Sequence, residues 1–370
     1  SAPDQVVVNV DVEEQPTGSL SFGATYGVNS GPGLNIGFSE TNFLGRGQAL
    51  SLNITTGTDT VDSSISFVEP AFLGRDVKLK FSAFYRTTEQ ASAQYDTDTI
   101  AVSPALEFPI SDNGRLELRY RVFKDRVKNV AVDDPATAAN EGASPILLYE
   151  QDQGGPIGSA LGYTFSYDTR TSGLNPLGGV LLRFSQDFAG VGGEVQYVSS
   201  TALAVAERKV FNEEVTLRAI FEGGVIASRG DYTTRVTDRF FGNTKIRGFE
   251  RNGIGPRDLG TDDALGGNFF AVARFEADFP LGLPEEYGIN GGLFLDVGSV
   301  WGLDRTGGSA NAGGAGNSTV DDSMHLRSSI GFSVFWNTPI GPLRFNFSNA
   351  IQKEDYDKEQ AFDLTISTKF

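Results

Sequence analysis

The sequence predicts an all-β fold: a 16-stranded antiparallel transmembrane β-barrel. Three observations carry this. From residue 17 onward, segments of about ten residues alternate apolar with polar side chains, the signature of strands that cross a bilayer at a tilt. Stretches rich in Gly, Pro, Asn and Asp separate them, and the connections are alternately short and long. Composition agrees: 45 Gly, 28 Phe and 11 Tyr stand against one Met and one His, the bias of many strands joined by tight turns. No apolar run reaches the length of about 18 residues that a spanning helix needs.

Taken in order, residues 5–14 alternate Val6, Val8, Val10 and Val12 against Val7, Asn9, Asp11 and Glu13, and Gln15-Pro16 ends the run. This strand has no neighbour in sequence to pair with. Residues 1–16 are therefore expected to close a preceding domain, with residues 17–370 forming the barrel. Strands are expected near 17–28, 32–41, 47–57, 60–69, 75–88, 95–108, 114–128 and 157–168. The second half adds 178–189, 193–207, 213–226, 266–279, 288–301, 325–338, 341–351 and 361–370. An even number lets an antiparallel sheet close without an edge.

Successive side chains on a strand point to opposite faces. In the last strand Phe362, Leu364, Ile366, Thr368 and Phe370 face one way, and Asp363, Thr365, Ser367 and Lys369 the other. Leu116, Leu118, Tyr120 and Val122 oppose Glu117, Arg119 and Arg121, and Val77, Leu79, Phe81 and Ala83 oppose Lys78, Lys80 and Ser82. A barrel with lipid outside and a wet or plugged lumen accounts for this. A soluble sandwich would alternate too, with shorter strands.

Connections after even-numbered strands are short (Asn42–Arg46, Pro70–Gly74, Pro109–Asn113, Pro339-Ile340), while 129–156, 227–265 and 302–324 follow odd-numbered ones. In outer-membrane barrels the short turns are periplasmic, so both chain ends are expected on that side. Asp133-Asp134, Asp262-Asp263 and Asp321-Asp322 fall in the long loops and read as solvated charge, with divalent-cation binding as the alternative. The stretch Gly307–Gly316 is expected to be mobile. Gly31-Pro32-Gly33-Leu34-Asn35-Ile36-Gly37 looks superficially like a nucleotide loop. Its spacing is wrong and a strand follows, so it reads as a hairpin connection.

The loop 227–265 holds the stretch of most interest, Phe241-Gly242-Asn243-Thr244-Lys245-Ile246-Arg247-Gly248-Phe249, running on to Gly255-Pro256-Arg257-Asp258. Gly242, Gly248, Gly253 and Gly255 permit positive φ and a doubled-back path. Arg247 is then either an ordinary solvated residue or a fork-shaped cation presented on a pinned tip. On the flanking strands, Arg274, Glu276 and Asp278 share one face, as do Phe294, Asp296 and Gly298. Glu276 and Asp296 should thus point into the lumen from adjacent strands, either as two hydrated charges or as bidentate partners for a guanidinium.

Several function classes are excluded or disfavoured. A net charge of −17 argues against nucleic acid as a partner. With no Cys there is no disulfide scaffold and no thiolate site. A Ser–His–acid triad would have to use His325, and no nucleophile elbow surrounds a serine. No cofactor motif and no metal site is expected, and an enzyme is not.

At this point the residues resemble a family. Ile246-Arg247-Gly248-Phe249 with Gly253-Ile254-Gly255-Pro256-Arg257-Asp258, Gly18-Ser19-Leu20-Ser21-Phe22-Gly23, Asn42-Phe43-Leu44-Gly45-Arg46-Gly47, Phe294-Leu295-Asp296-Val297-Gly298 and a terminal Phe370 resemble the BamA-type outer-membrane barrel-assembly factors. These belong to a wider POTRA-barrel superfamily that shares the Arg-Gly-aromatic core, and the likeness covers residues 5–370. It implies a loop folded back into the lumen, its Arg247 held by wall carboxylates. It implies a seam between Thr17–Val28 and Ala361–Phe370, including Thr17, Leu20, Phe22, Phe362, Leu364, Ile366 and Phe370, that parts so that client strands pair with the exposed edge. The implied partners are unfolded β-barrel clients, outer-membrane lipids and accessory assembly lipoproteins, the last mainly through POTRA repeats of which residues 5–14 would be the end. Other POTRA-barrel translocators and a passive pore remain the alternatives.

Overall fold

A computed structural model describes residues 15–27, 31–58, 60–89, 94–132, 142–170, 178–242, 245–308, 319–338 and 341–369. Sixteen antiparallel strands close into one barrel, each hydrogen-bonded to its sequence neighbours, and the last (Phe362–Lys369) returns to the first (Gly18–Gly27). The strand 5–14, Asp133-Asp134, residues 309–316 of the Gly-rich stretch and Phe370 lie outside the described residues.

The alternation predicts the faces because one side of each strand meets side chains and the other does not. Leu20, Phe22, Leu34, Ile36, Leu52, Leu118, Tyr120, Phe221, Phe275, Leu293 and Phe332 point outward and are exposed. The inward set carries the ions, with Arg119 on Asp187 at 2.6 Å and Lys80 between Glu107 and Glu117.

Three strand starts differ from expectation by three residues or more, the twelfth beginning at Phe269 rather than 266. The fifth begins at Lys78 rather than 75, because Phe72–Gly74 form a 3-10 turn with Leu73 at φ 55° and the Phe72 N–H returns to the Val77 carbonyl. The tenth begins at Tyr197 rather than 193, because the preceding residues form a separate loop whose Glu194 N–H bonds the Ile157 carbonyl. Gly31–Gly37 is no hairpin connection. It is the start of the second strand, Gly31–Phe43, and pairs residue for residue with Ser21–Gly27.

The long-loop end is filled. A helix, Pro145–Asp152, opens on Ser144, whose Oγ accepts the Ile146 N–H, with proline in the first turn. Ile146 and Leu147 pack on Val127, Val130, Val236 and Leu265. Three two-residue strands make a small separate sheet, Arg257–Asp258 lying between Asp263–Ala264 and Val320–Asp321.

The acidic pairs in these loops are not simply solvated. Asp263 is buried and accepts the Ser144 N–H at 2.6 Å and the Thr261 hydroxyl at 2.8 Å. That burial pushes its carboxyl above the ordinary range, against the pull of those donors. Asp321 faces His325 and Tyr356, Asp322 accepts the Leu303 N–H, and Asp262 pairs with Arg257 and Lys358. Loop backbone needs acceptors wherever it leaves water, and these carboxylates supply them.

Candidate functional site: the lumen loop and its wall

The strand Val215–Ser228 leads into the loop and Phe269–Pro280 leads out of it, so the loop runs from 229 to 268. Its tip is driven to the wall by apolar burial. Ile246, Phe249 and Ile254 pack on Phe270, Val272 and Val300, which are lumen-facing positions near the long-loop end of their strands. Of the four glycines expected to permit left-handed backbone, two use it: Gly248 at φ 90° and Gly255 at φ 108°. Gly242 and Gly253 are needed for space instead. A Cβ would lie 2.3 Å from Ile254 at the first and 2.7 Å from the Lys358 carbonyl at the second.

Arg247 is thereby set against Glu276 and Asp296. Its Nε and Nη2 donate to the two oxygens of Asp296 at 2.8 and 2.6 Å, and its own backbone N–H donates to Oδ2 at 3.0 Å. Nη1 pairs with Glu276 Oε1 at 2.7 Å, and the guanidinium lies 3.7 Å from the centroid of the Phe294 ring. Asp296 is fully buried. A buried carboxylate is tolerable when its oxygens are filled by charged donors, and here three N–H groups do so. Burial works against the charge on Arg247, yet Asp296 and Glu276 outweigh it and hold the guanidinium above its ordinary value.

Gly255, Pro256, Arg257 and Asp258 do not join this cluster. They form a second knot in the small sheet, where Arg257 donates to the Asn252 carbonyl at 2.7 Å and to Asp262. Asp258 accepts from Ser144 at 2.7 Å and from Thr319.

Three features of the site were not assigned from sequence. Arg218 donates to Glu276 Oε2 at 3.0 Å, and Lys245 pairs with Glu222. The strip 358–360, just before the last strand, is zipped to the loop by backbone bonds: Glu250 N–H to the Lys358 carbonyl, Lys358 N–H to that of Gly253, and Gln360 N–H to that of Gly248. Arg218 and Glu222 were legible as inward positions of an alternating strand. The strip had no signal, because backbone pairing in loops leaves no periodicity.

At the seam, Leu20, Phe22 and Phe362 are exposed on the outer face and Leu364 is half-buried, while Ile366 pairs through its backbone with Tyr26. The Thr17 carbonyl accepts the Thr41 N–H just ahead of the first strand. First and second strands pair along all of Gly18–Gly27. Among the described residues, first and last pair over Gly23–Gly27 and Thr365–Lys369.

A closed sixteen-stranded barrel, apolar outside and charged inside, with an internal loop clamped to its wall through an Arg-Gly-Phe tip, defines a class of outer-membrane-type barrel. Residues 42–370 match the Omp85 superfamily domain, and the chain belongs to that superfamily. It is 30% identical over 366 residues, 99% of its length and 47% of the relative's, to the outer membrane protein assembly factor BamA of Neorickettsia risticii (strain Illinois). It is 27% identical over 303 residues to the human sorting and assembly machinery component 50 homolog, covering 79% of this chain and 60% of that one. Among solved structures, the crystal structure of BamA from Haemophilus ducreyi lacking POTRA domains 1–3 superposes with a TM-score of 0.80 at 22% identity. That match covers 97% of this chain and 71% of the other, a likeness of fold. The chain spans about half the length of the BamA relatives it matches.

Proposed function

We propose that this chain is the membrane-embedded part of an insertase that assembles β-barrel proteins into the bacterial outer membrane through the seam between its first and last strands. The seam carries the reading. Among the described residues, the first and last strands share five register pairs, Gly23–Gly27 with Thr365–Lys369, against ten between the first and second, so this joint is held by few rungs. An unpaired strand edge is a template for another strand, and a client strand would add there by main-chain hydrogen bonding. The similarity to assembly factors named BamA supports the same reading.

The partners in this reading are unfolded β-barrel clients, outer-membrane lipids and accessory lipoproteins. Residues 1–16 are the end of a POTRA repeat, and both ends of the chain lie on the periplasmic side. No covalent step enters: work is done by strand pairing, with the Arg247 loop holding the shape of the wall. The wall-docked loop favours this over a passive pore, whose constriction would be lined by opposed charges.

The test is a disulfide across the seam between Ala24→Cys and Thr368→Cys, register partners in a chain with no native cysteine. In the full-length protein, oxidation is expected to stop client insertion and reduction to restore it. Normal insertion by the locked barrel would overturn the seam mechanism.

A further inference from the structure

Three arginines converge on Glu276, and two of them contend for one oxygen. Arg218 holds Oε2 at 3.0 Å. Arg247 Nη1 holds Oε1 at 2.7 Å, while Arg344 Nη2 stands 3.7 Å from that same Oε1. Arg344 projects from the fifteenth strand, Gly341–Gln352, which separates the carboxylate wall from the seam. It is held loosely. Its Nε donates to Asn346 Oδ1 at 3.1 Å, its guanidinium sits 5.1 Å from the Phe335 ring, and its side chain is 38% exposed against 13% for Arg247.

A guanidinium cannot shed its charge to relieve crowding. With Arg247 docked, Arg344 is therefore repelled by a like charge and attracted only at a distance by Glu276, already filled, and by Asp278 and Asp296 beyond it. With Arg247 gone, Glu276 Oε1 is open and the nearest spare cation is Arg344. Asn346, which Arg344 now touches, donates in turn to Asp363 on the last strand at 3.2 Å.

We propose that Arg344 is a positioning residue, the standby cation for Glu276. When the Arg247 loop leaves the wall, Arg344 closes on Oε1 and gives up Asn346, so undocking is relieved of part of its electrostatic cost and is passed toward the last strand. The proposal rests on loop docking as read above, and does not depend on client insertion.

The test is hydrogen exchange of residues 245–258 in the folded chain in detergent micelles. Without its standby cation the undocked state is disfavoured. Arg344→Gln should therefore slow exchange there by about two- to fivefold, the range that one partly exposed charge pair supplies. Arg344→Met, which keeps the stem over Phe335, should do the same, and Arg344→Lys should return the wild-type rate. A residue that merely braces the wall would do the opposite and speed exchange. Unchanged or faster exchange in both neutral variants overturns the standby role. If Arg247→Ala speeds exchange while the neutral variants do not slow it, the standby role alone fails. If Arg247→Ala leaves exchange unchanged, docking itself fails.

Discussion

Arg247 and Asp296 set the stakes at single positions. Truncating the cation leaves a fully buried carboxylate with one backbone N–H, and breaking a buried pair from one side costs about 3–5 kcal/mol. Arg247→Ala is therefore expected to release the loop from the wall while the strand ladder holds. Arg247→Lys should release it almost as fully, since one ammonium cannot bridge both Asp296 oxygens and Glu276 at once. Protease sensitivity of residues 245–258, compared between the two variants and wild type, checks this; wild-type resistance in the lysine variant would show that charge without the fork suffices. Asp296, Glu276 and the Phe294 beneath the guanidinium could be placed on one lumen face from alternation alone, because period two is rigid. Arg218 and Arg344 could not be tied to Glu276. Their meeting depends on the stagger between strands, and the sequence between them does not record it.

The strands themselves were legible because each has one face packed or charged and one face bare, which forces a strict alternation on the residues. Their ends were not fixed so well where a turn has its own hydrogen bonds, as at Phe72–Gly74 and before Tyr197. The helix Pro145–Asp152 escaped notice for a different reason. Eight residues cannot sustain a helix alone, and its stability comes from Ile146 and Leu147 buried on loop and strand residues distant in sequence. Its start did carry a signal, a serine cap before a proline. Ser144 caps Ile146 and also donates to the buried Asp258, so Ser144→Ala should cost about 1 kcal/mol for the cap alone. Amide exchange at Leu147 and Leu148 should then quicken about fivefold. Unchanged exchange at both amides would mean that burial of Ile146 and Leu147, and not the cap, sets the stability of this helix.

Across the whole barrel, filling is lopsided. Inward side chains of the second to fifth strands stay at least partly exposed, while Phe270, Val272, Phe294, Asp296 and Ser329 on the twelfth to fourteenth are buried under the loop. The long-loop end is closed by one further device, a buried ion pair between the helix and the loop. Arg239 Nη2 meets Glu150 Oε1 at 2.6 Å, and the other Glu150 oxygen accepts the Val236 N–H at 2.8 Å. Burial pushes the Glu150 carboxyl upward, and Arg239 opposes that shift. Among the described residues this is the ion pair that joins the two loops, beside the hydrogen bonds of Ser144 to the buried Asp258 and Asp263, and it should decide whether the lumen conducts. Wild-type protein in a planar bilayer is expected to give small, flickering currents. Glu150→Ala leaves Arg239 buried and unpaired, a penalty of about 3–5 kcal/mol that the cap can relieve only by moving apart. Larger, longer openings should follow, with the β-sheet signal of the barrel unchanged. Currents as small as wild type would mean that the wall-docked Arg247 loop alone blocks the lumen, and Arg247→Ala would then be the variant that opens it.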